Sequence, residues 1–364
     1  MGSPQSRQQR TDKNSKVPLP QWGKSSPRDT HTHFSAIALG PQVPPDSHHD
    51  VRLHFPFHEL ELTMGLRWGC RVAAAAQHSL VGDCQATIKL NHSYSQKQED
   101  VYFARRFFCD KCEERRNYVE IGALDGVRFS NTLMLERELN FGGLLIEGHP
   151  VSSSCLEHAR GQSGRNVIFK EAICSPTGTL TFSGFPDGVA GDRTTMSPSA
   201  MKKWGQQHHL NSLNYTVRCR PISEMLRLAG LQVVHLFSLD VEGAELRVLE
   251  TMDWTIPVHV WSVETDGSNP AKDAAVVALL GKHGYKRMPQ RVFLNTIFVH
   301  SNLASTVHQR MAMCGACIST GPHLKHDVRS DKAADAAVAQ AVSSGRSLCF
   351  SESAGTLLEQ AKGG

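Results

Sequence analysis

From about Ser93 to His300, short apolar runs alternate with stretches of helical period. Between Asp100 and Phe108, Val101, Phe103, Ala104, Phe107 and Phe108 fall at helix spacing, with Arg105 and Arg106 turned outward. Tyr118 to Ile121 predicts a strand, and Asn131 to Leu139 a helix with Ser130 as N-cap. Gly143 to Ile146 predicts a buried strand, Ser152 to Arg160 a helix and Val167 to Phe169 a third strand. The pattern resumes with a helix over Ile222 to Ala229, closed by Gly230, and a strand over Val233 to Leu239. A helix over Ala244 to Thr251, a strand over Val258 to Val263 and a helix over Ala271 to His283 follow. Tyr285 to Met288 and Asn295 to Val299 end the series as short strands. Strands alternating with helices of about ten residues predict βαβ units and a mostly parallel sheet covered on both faces.

Two stretches interrupt the alternation. Thr179 to Phe182 is β-like, and Pro186 to Leu213 is rich in Gly, Ser, His and Met. A loop that long inside a domain predicts a lid or a substrate-facing insertion. Outside the periodic block the character changes. Residues 1–50 hold seven of the 17 prolines and few apolar groups, which predicts a disordered tail. Residues 51–92 form an N-terminal extension without a clear period. Residues 93–303 read as one domain, and 304–364 as a low-complexity tail with an Ala-rich helical stretch from Lys332 to Val342.

Composition adds exclusions. Hydrophobic residues make up 40% and charged residues 20%, as in ordinary globular chains. A net charge of +4 is too weak to imply a nucleic-acid partner. No uncharged apolar run reaches about 18 residues, so no membrane span is expected. Nothing bears on the oligomeric state. The N-terminus lacks an apolar signal segment, although Met1-Gly2-Ser3-Pro4-Gln5-Ser6 fits the loose myristoylation pattern. Reduced thiols and a cytoplasmic location are therefore expected for the ten cysteines. The pairs Cys109/Cys112 and Cys314/Cys317 are too far apart to suggest a zinc site, and no metal is assigned.

In an open parallel sheet, ligands bind beyond the carboxyl ends of the strands. Here those ends read Glu120-Ile121-Gly122-Ala123-Leu124-Asp125-Gly126, Glu147-Gly148-His149-Pro150, Glu171-Ala172, Asp240-Val241-Glu242-Gly243 and Glu264-Thr265-Asp266-Gly267. A row of acids is costly through like-charge repulsion unless a cationic or hydroxyl-rich ligand faces it. The nicotinamide dinucleotide fingerprint G-x-G-x-x-G is absent. Gly122-x-x-x-Gly126 carries Asp125, and a carboxylate there repels pyrophosphate. S-adenosylmethionine suits the row, with its sulfonium, its ammonium and a ribose diol without phosphate. Glu147 follows Gly122 by 25 residues, near the offset of about 20 at which an acid meets ribose hydroxyls.

Val119 to Gly126, with Phe129 to Thr132 and Leu145-Ile146-Glu147, resembles the FkbM-type methyltransferases. So do Ser238 to Glu245 with Leu249-Glu250, and the lead-in Ser95-Gln96 to Asp100 with Phe107-Phe108. The resemblance spans roughly residues 93–303. It implies an α/β class I (Rossmann-like) methyltransferase fold with a seven-stranded, mostly parallel sheet and helices on both faces. It further implies S-adenosylmethionine as cofactor and O-methylation of a small-molecule or glycan acceptor. Carried over by residue, Glu120, Gly122, Asp125 and Gly126 would line the methionine moiety, Glu147 would hold the ribose and Ala172 would lie near the adenine. Asp240 would face the sulfonium and the acceptor. Gly148-His149-Pro150 and Asn295-Thr296 depart from the usual family pattern.

Methyl transfer to an alcohol needs positioning and a proton acceptor. Asp240, Glu242, His149 and His208/His209 are the candidates, with Asp240 and Glu242 favoured. A divalent metal on Asp240-x-Glu242, completed by Glu264 or Asp266, is the alternative that would acidify the hydroxyl. Two other function classes stand beside this reading: a non-catalytic methyltransferase-like binding module, and an NAD-linked oxidoreductase.

Overall fold

A computed structural model of the chain describes residues 88–109, 115–186, 188–205 and 213–303, together with strands at 318–326, 348–351 and 356–359. The expectations for residues 1–87 and for the helix at Lys332 to Val342 lie outside the described residues.

The central sheet has seven strands: β2 (Arg116–Ile121), β3 (Phe141–Ile146), β4 (Asn166–Phe169), β9 (Val234–Leu239), β10 (Val258–Glu264), β11 (Tyr285–Val292) and β12 (Asn295–His300). Their order is β11-β12-β10-β9-β2-β3-β4. β2, β3, β4, β9 and β10 are parallel, and β12 runs antiparallel between β10 and β11. β3 and β9 are buried along their whole length, as the unbroken apolar run of β3 requires, and β9 buries His235 and Ser238 among its apolar residues.

The alternation of side chains splits the core in two. Tyr118, Leu145, Leu236 and Val260 pack with residues of α1 (Glu99–Phe107), α2 (Leu133–Leu139) and α3 (Pro150–Arg160). Val119, Leu144, Phe237 and Trp261 pack with α5 (Ile222–Leu228), α6 (Glu245–Glu250) and α7 (Pro270–Lys282). A polar network lies within the first of these cores. Glu136 Oε2 accepts bonds from Arg160 Nη2 at 2.6 Å, from the Tyr118 hydroxyl at 2.7 Å and from Asn166 Nδ2 at 2.9 Å. Burial alone would raise the Glu136 carboxyl, but the Arg160 guanidinium beside it pulls it below its ordinary value.

Several features differ from expectation. Asn214–Arg220 is a strand, β8, and pairs with β6 (Gly178–Ser183) and β5 (Ala172–Ile173). With β7 (Gly191–Asp192) these make a second sheet of order β5-β8-β6-β7. β6 takes in the β-like run Thr179 to Phe182, whereas β5 and β7 are two residues long and β8 is largely exposed, and these three carry too little apolar signal to be read from the sequence. The insertion is also not one loop, since it holds β7 and α4 (Pro198–Trp204). Strand β13 (Ile318–His326), within the expected low-complexity tail, pairs in parallel with β1 (Ile88–Ser93). β14 (Leu348–Ser351) and β15 (Thr356–Glu359) form a hairpin.

Cys174 and Cys219, expected to be reduced, are bridged. Ala172 pairs with Cys219 and Cys174 N–H bonds to the Arg220 carbonyl, which brings the two Cα atoms to 5.4 Å. Among the described residues, no helix is long and apolar enough to cross a membrane.

Arg160 is 2% exposed and also donates to the Gly126 carbonyl at 2.9 Å. Arg160→Ala strands Glu136 as a buried, unpaired charge and should cost about 3–5 kcal/mol of stability in urea denaturation. A loss below about 1 kcal/mol, the range of surface pairs, would remove Arg160 from the centre of this core.

Candidate active site

The strand order reverses between β2 and β9, and a cavity opens at the carboxyl ends of these strands, as topology requires. It has a volume of about 470 Å³. Nine carboxylate residues line it, and among the described lining residues none is lysine or arginine.

Gly122 begins the loop after β2 with φ 81°. A Cβ there would lie 1.8 Å from the Asp240 carbonyl oxygen, so only glycine lets this loop cross the end of β9. The next turn is held from β3. Glu147 Oε2 accepts Leu124 N–H at 2.8 Å and Oε1 accepts His149 N–H at 2.7 Å. Leu124 is left at φ 50°, a strained non-glycine backbone at the cavity wall.

Of the residues expected at the site, Glu120, Gly122, Glu147, Ala172, Asp240 and Glu242 line the cavity. Glu120 is engaged by its own chain, however. It accepts Asn131 N–H at 2.6 Å and the hydroxyls of Thr132 at 2.6 Å and Ser130 at 3.0 Å. Asp125 and Gly126 are not on the cavity wall. Asp125 accepts from Arg128 Nε at 2.6 Å and from Val127 and Arg128 N–H, so its charge is neutralised within the loop. That pairing withdraws the argument that Asp125 itself repels phosphate. Gly126 sits beneath α3, where a Cβ would come within 2.6 Å of Leu156 Cδ1.

Oxygens of Asp240, Glu242 and Glu264 lie within 4.8 Å of one another, near enough to share a cation or a proton. Asp240 and Glu264 are hydrogen-bonded, which is the shared-proton arrangement. Burial, then the neighbouring Glu245 carboxylate, pushes Asp240 up to about 6. Burial and the Asp240 charge hold Glu264 well above its ordinary value. Glu245 itself accepts Lys272 Nζ at 2.5 Å and the N–H groups of Val241 and Gly243, which makes it a clamp on the loop.

His149 is N-cap of α3 rather than a free base: its Nδ1 accepts Val151 N–H at 3.3 Å. His208 and His209 lie outside the described residues. The insertion does reach the site, because Pro186, Gly188, Val189, Ala190 and Asp192 line the cavity. Sequence reasoning missed Leu124, whose role depends on a backbone twist, and Gln96 and Glu99, which reach the cavity from before the first sheet strand. Glu99 is 2% exposed, and burial raises its carboxyl. The signal for Glu99 lay in its place beside Asp100, within the Ser95-Gln96 lead-in.

Burial pushes Glu147 up to about 7 from 4.5, and the two N–H bonds relieve it only in part. Folding thus raises its proton affinity. Its stabilising contribution is complete below pH 4.5 and is lost as pH rises through about 7. Glu147→Gln removes this titration, while Asp240 and Glu264 remain in both proteins. The melting temperature of the variant minus that of the parent should therefore rise across that window. A flat difference would mean that Glu147 is not enclosed as described.

Residues 120–287 match the methyltransferase FkbM domain family. No curated protein matches the chain. The chain is similar to a methyltransferase FkbM from Methylobacillus flagellatus KT, at 13% identity and a TM-score of 0.33, over 51% of this chain and 44% of that one. It is also similar to an O-methyltransferase family protein from Burkholderia thailandensis, at 10% identity and a TM-score of 0.25, over 50% of each chain. The chain thus spans less than half the length of the first of these structures. Glu120, Glu147, Asp240 and Glu264, the carboxylates at the strand ends, all fall inside the segment that matches the methyltransferase FkbM domain family.

Proposed function

We propose that the cavity binds S-adenosylmethionine and that the domain transfers its methyl group to a hydroxyl of a small-molecule or glycan acceptor. The observation that carries this reading is a cavity whose wall holds Glu147 and the close group Asp240, Glu242 and Glu264 and, among the described residues, no lysine or arginine. Such a wall opposes a pyrophosphate and favours a ligand that carries positive charge. The strand order, with β12 antiparallel between β10 and β11, supports the class I methyltransferase arrangement.

The residues present fit the cofactor part by part. Gly122, Leu124 and Asp240 would hold the end that bears the sulfonium and the amino acid. Glu147 would accept the ribose hydroxyls, since each of its oxygens keeps a lone pair beyond the N–H bond it already takes. Ala172 and its apolar neighbours would pack on the base. Glu120, Asp125 and Gly126 would shape the loop rather than touch the ligand.

Bound S-adenosylmethionine supplies an electrophilic methyl group on a sulfonium. The chain's own contribution is to position the acceptor and take its proton. Asp240 is the proton acceptor in this reading, because at about 6 it is ionised at neutral pH yet still basic enough to act. Glu264 keeps its proton and donates to Asp240, while Glu242 borders both this cavity and a second one of about 320 Å³. The second cavity is walled by Thr195, Ser197, Ser199, Ser268 and Asn269, a polar surface suited to a hydroxyl-bearing acceptor.

Ligand that binds only the folded state raises the melting temperature by mass action. S-adenosylhomocysteine should do so and NAD should not; equal responses, or none, would count against the cofactor. Asp240→Asn should lower single-turnover methyl transfer by about 10²- to 10⁴-fold at saturating cofactor. It should also remove the rise in rate as pH increases through about 6. Glu147→Ala should show the opposite pattern, weakening cofactor binding by roughly ten- to a hundred-fold. Normal turnover by Asp240→Asn would pass the role to Glu242.

A further inference from the structure

Among the described residues, three large apolar side chains are exposed: Val167, Leu228 and Phe293. Apolar residues scattered singly over a surface are ordinary, and Val167 and Leu228, which do not line the cavity, are of that kind. Phe293 differs, because it is 45% exposed and lines the cavity. Its place there follows from strand register. Asn295, the first residue of β12, pairs with Glu264 of β10 on one side and with Val292 of β11 on the other. Phe293 and Leu294 therefore form the turn that closes this hairpin beside Glu264. Glu264 is in turn hydrogen-bonded to Asp240, so Phe293 stands at the end of the cavity that holds these two acids.

The turn is tied down. The Leu294 carbonyl accepts Thr265 N–H at 3.0 Å and Arg291 Nη2 at 2.9 Å, and the same Arg291 nitrogen bonds the Thr265 carbonyl. Phe293 itself is held at φ 54°. Two-residue hairpin turns fill positive-φ positions with Gly, Asn or Asp, and an aromatic residue there is strained. Turn chemistry thus disfavours phenylalanine at this position, and burial does not repay it, since the ring stays at the surface. Lys97 Nζ lies 5.6 Å from the ring centroid, a contact that orients the ring and still leaves it exposed. A strained aromatic residue on a cavity wall that serves neither the turn nor the core points to what enters the cavity.

We propose that Phe293 is a specificity-determining residue for the acceptor: its ring stacks on the apolar face of a pyranose whose hydroxyl is methylated. This inference rests on the methyltransferase reading given above. A pyranose carries C–H groups on its faces and hydroxyls along its edge. The edge finds partners at this same end, because Glu242, Glu264 and Asp266 line both this cavity and the second one, where Thr195, Ser197, Ser199 and Ser268 add hydroxyls. Among the described residues, the wall of the second cavity has no aromatic or large apolar side chain. Phe293 supplies the apolar contact that this polar wall lacks. An acyl chain or a flat aromatic acceptor would leave the acids and hydroxyls unpaired once water is displaced, which disfavours both.

The test uses the full chain, methyl-labelled S-adenosylmethionine, and the methyl glycosides of glucose, galactose, mannose and rhamnose as acceptors. The parent should methylate at least one of them. For that glycoside Phe293→Ala should raise KM about three- to thirty-fold, the range for partly covering one aromatic ring, and affect kcat less. Phe293→Trp should restore the KM. Affinity for S-adenosylhomocysteine, measured by calorimetric titration, should be the same in parent and variants. Phe293→Gly should melt no lower than the parent, because glycine carries no strain at this φ. An unchanged KM in Phe293→Ala overturns the proposal, as does an equal loss of S-adenosylhomocysteine affinity. A much lower melting temperature in Phe293→Gly also overturns it, since the ring would then serve the fold. A parent that binds S-adenosylhomocysteine but methylates none of the glycosides overturns it while the cofactor reading stands. If the parent fails to bind S-adenosylhomocysteine, the cofactor reading falls, and this inference with it.

Discussion

Glu120 must be satisfied where β2 ends, inside the protein, and the way it is satisfied builds the mouth of the sheet. Its two oxygens take one backbone N–H and two hydroxyls from the consecutive residues Ser130, Asn131 and Thr132. That grip sets the entry to α2. Asn131 then reaches across to the Ser238 hydroxyl at 2.9 Å, which ties the loop after β2 to β9. The two strands flanking the topological switch are thereby held at one spacing, and Gly122 lets the loop between them lie flat against Asp240. Burial still raises the Glu120 carboxyl despite the nearby Arg160 guanidinium, as expected of an acid kept away from water.

Several other acids in and around the site fall into two groups by the same logic. Asp125 faces Arg128, Glu171 faces Arg218 and Arg220, Asp192 faces Arg247, and Glu245 faces Lys272. These pairs fix the surrounding loops and contribute little free field to the cavity. Glu147, Asp240 and Glu264 are different: each is enclosed and holds its proton more tightly than an ordinary carboxylate. A positive ligand near them would recover the energy that their desolvation costs, whereas a phosphate would add to it.

Much of this was legible in the sequence because the periodicities are clean. The apolar run of β3 can only be a buried strand, and the acids following each strand point to the cavity's location through topology alone. What could not be read depends on partners distant in sequence. Asp125 looks like a ligand-facing acid until Arg128 is seen folded onto it. His149 looks like a base until its Nδ1 is seen capping α3. Leu124 and Glu99 enter the site through a backbone twist and a preceding segment, neither of which has a sequence period.

The second sheet shows why the least legible part of the chain can still govern the site. β5 and β7 are two residues long, too short to announce themselves, yet they place Ala172 and Asp192 on the cavity wall, together with Phe182 of β6. Short strands have little cohesion of their own, so the fold adds cross-links at this point. Cys174–Cys219 fastens β5 to β8, and Arg220 and Arg218 fasten β8 to Glu171 at the end of β4. The wall opposite Glu147 therefore owes its position to covalent and ionic ties, whereas the wall that carries Glu147 and Asp240 owes its position to the central sheet. A ligand seated between them touches one surface fixed by the core and another fixed by a few discrete bonds. The second can change without disturbing the central sheet.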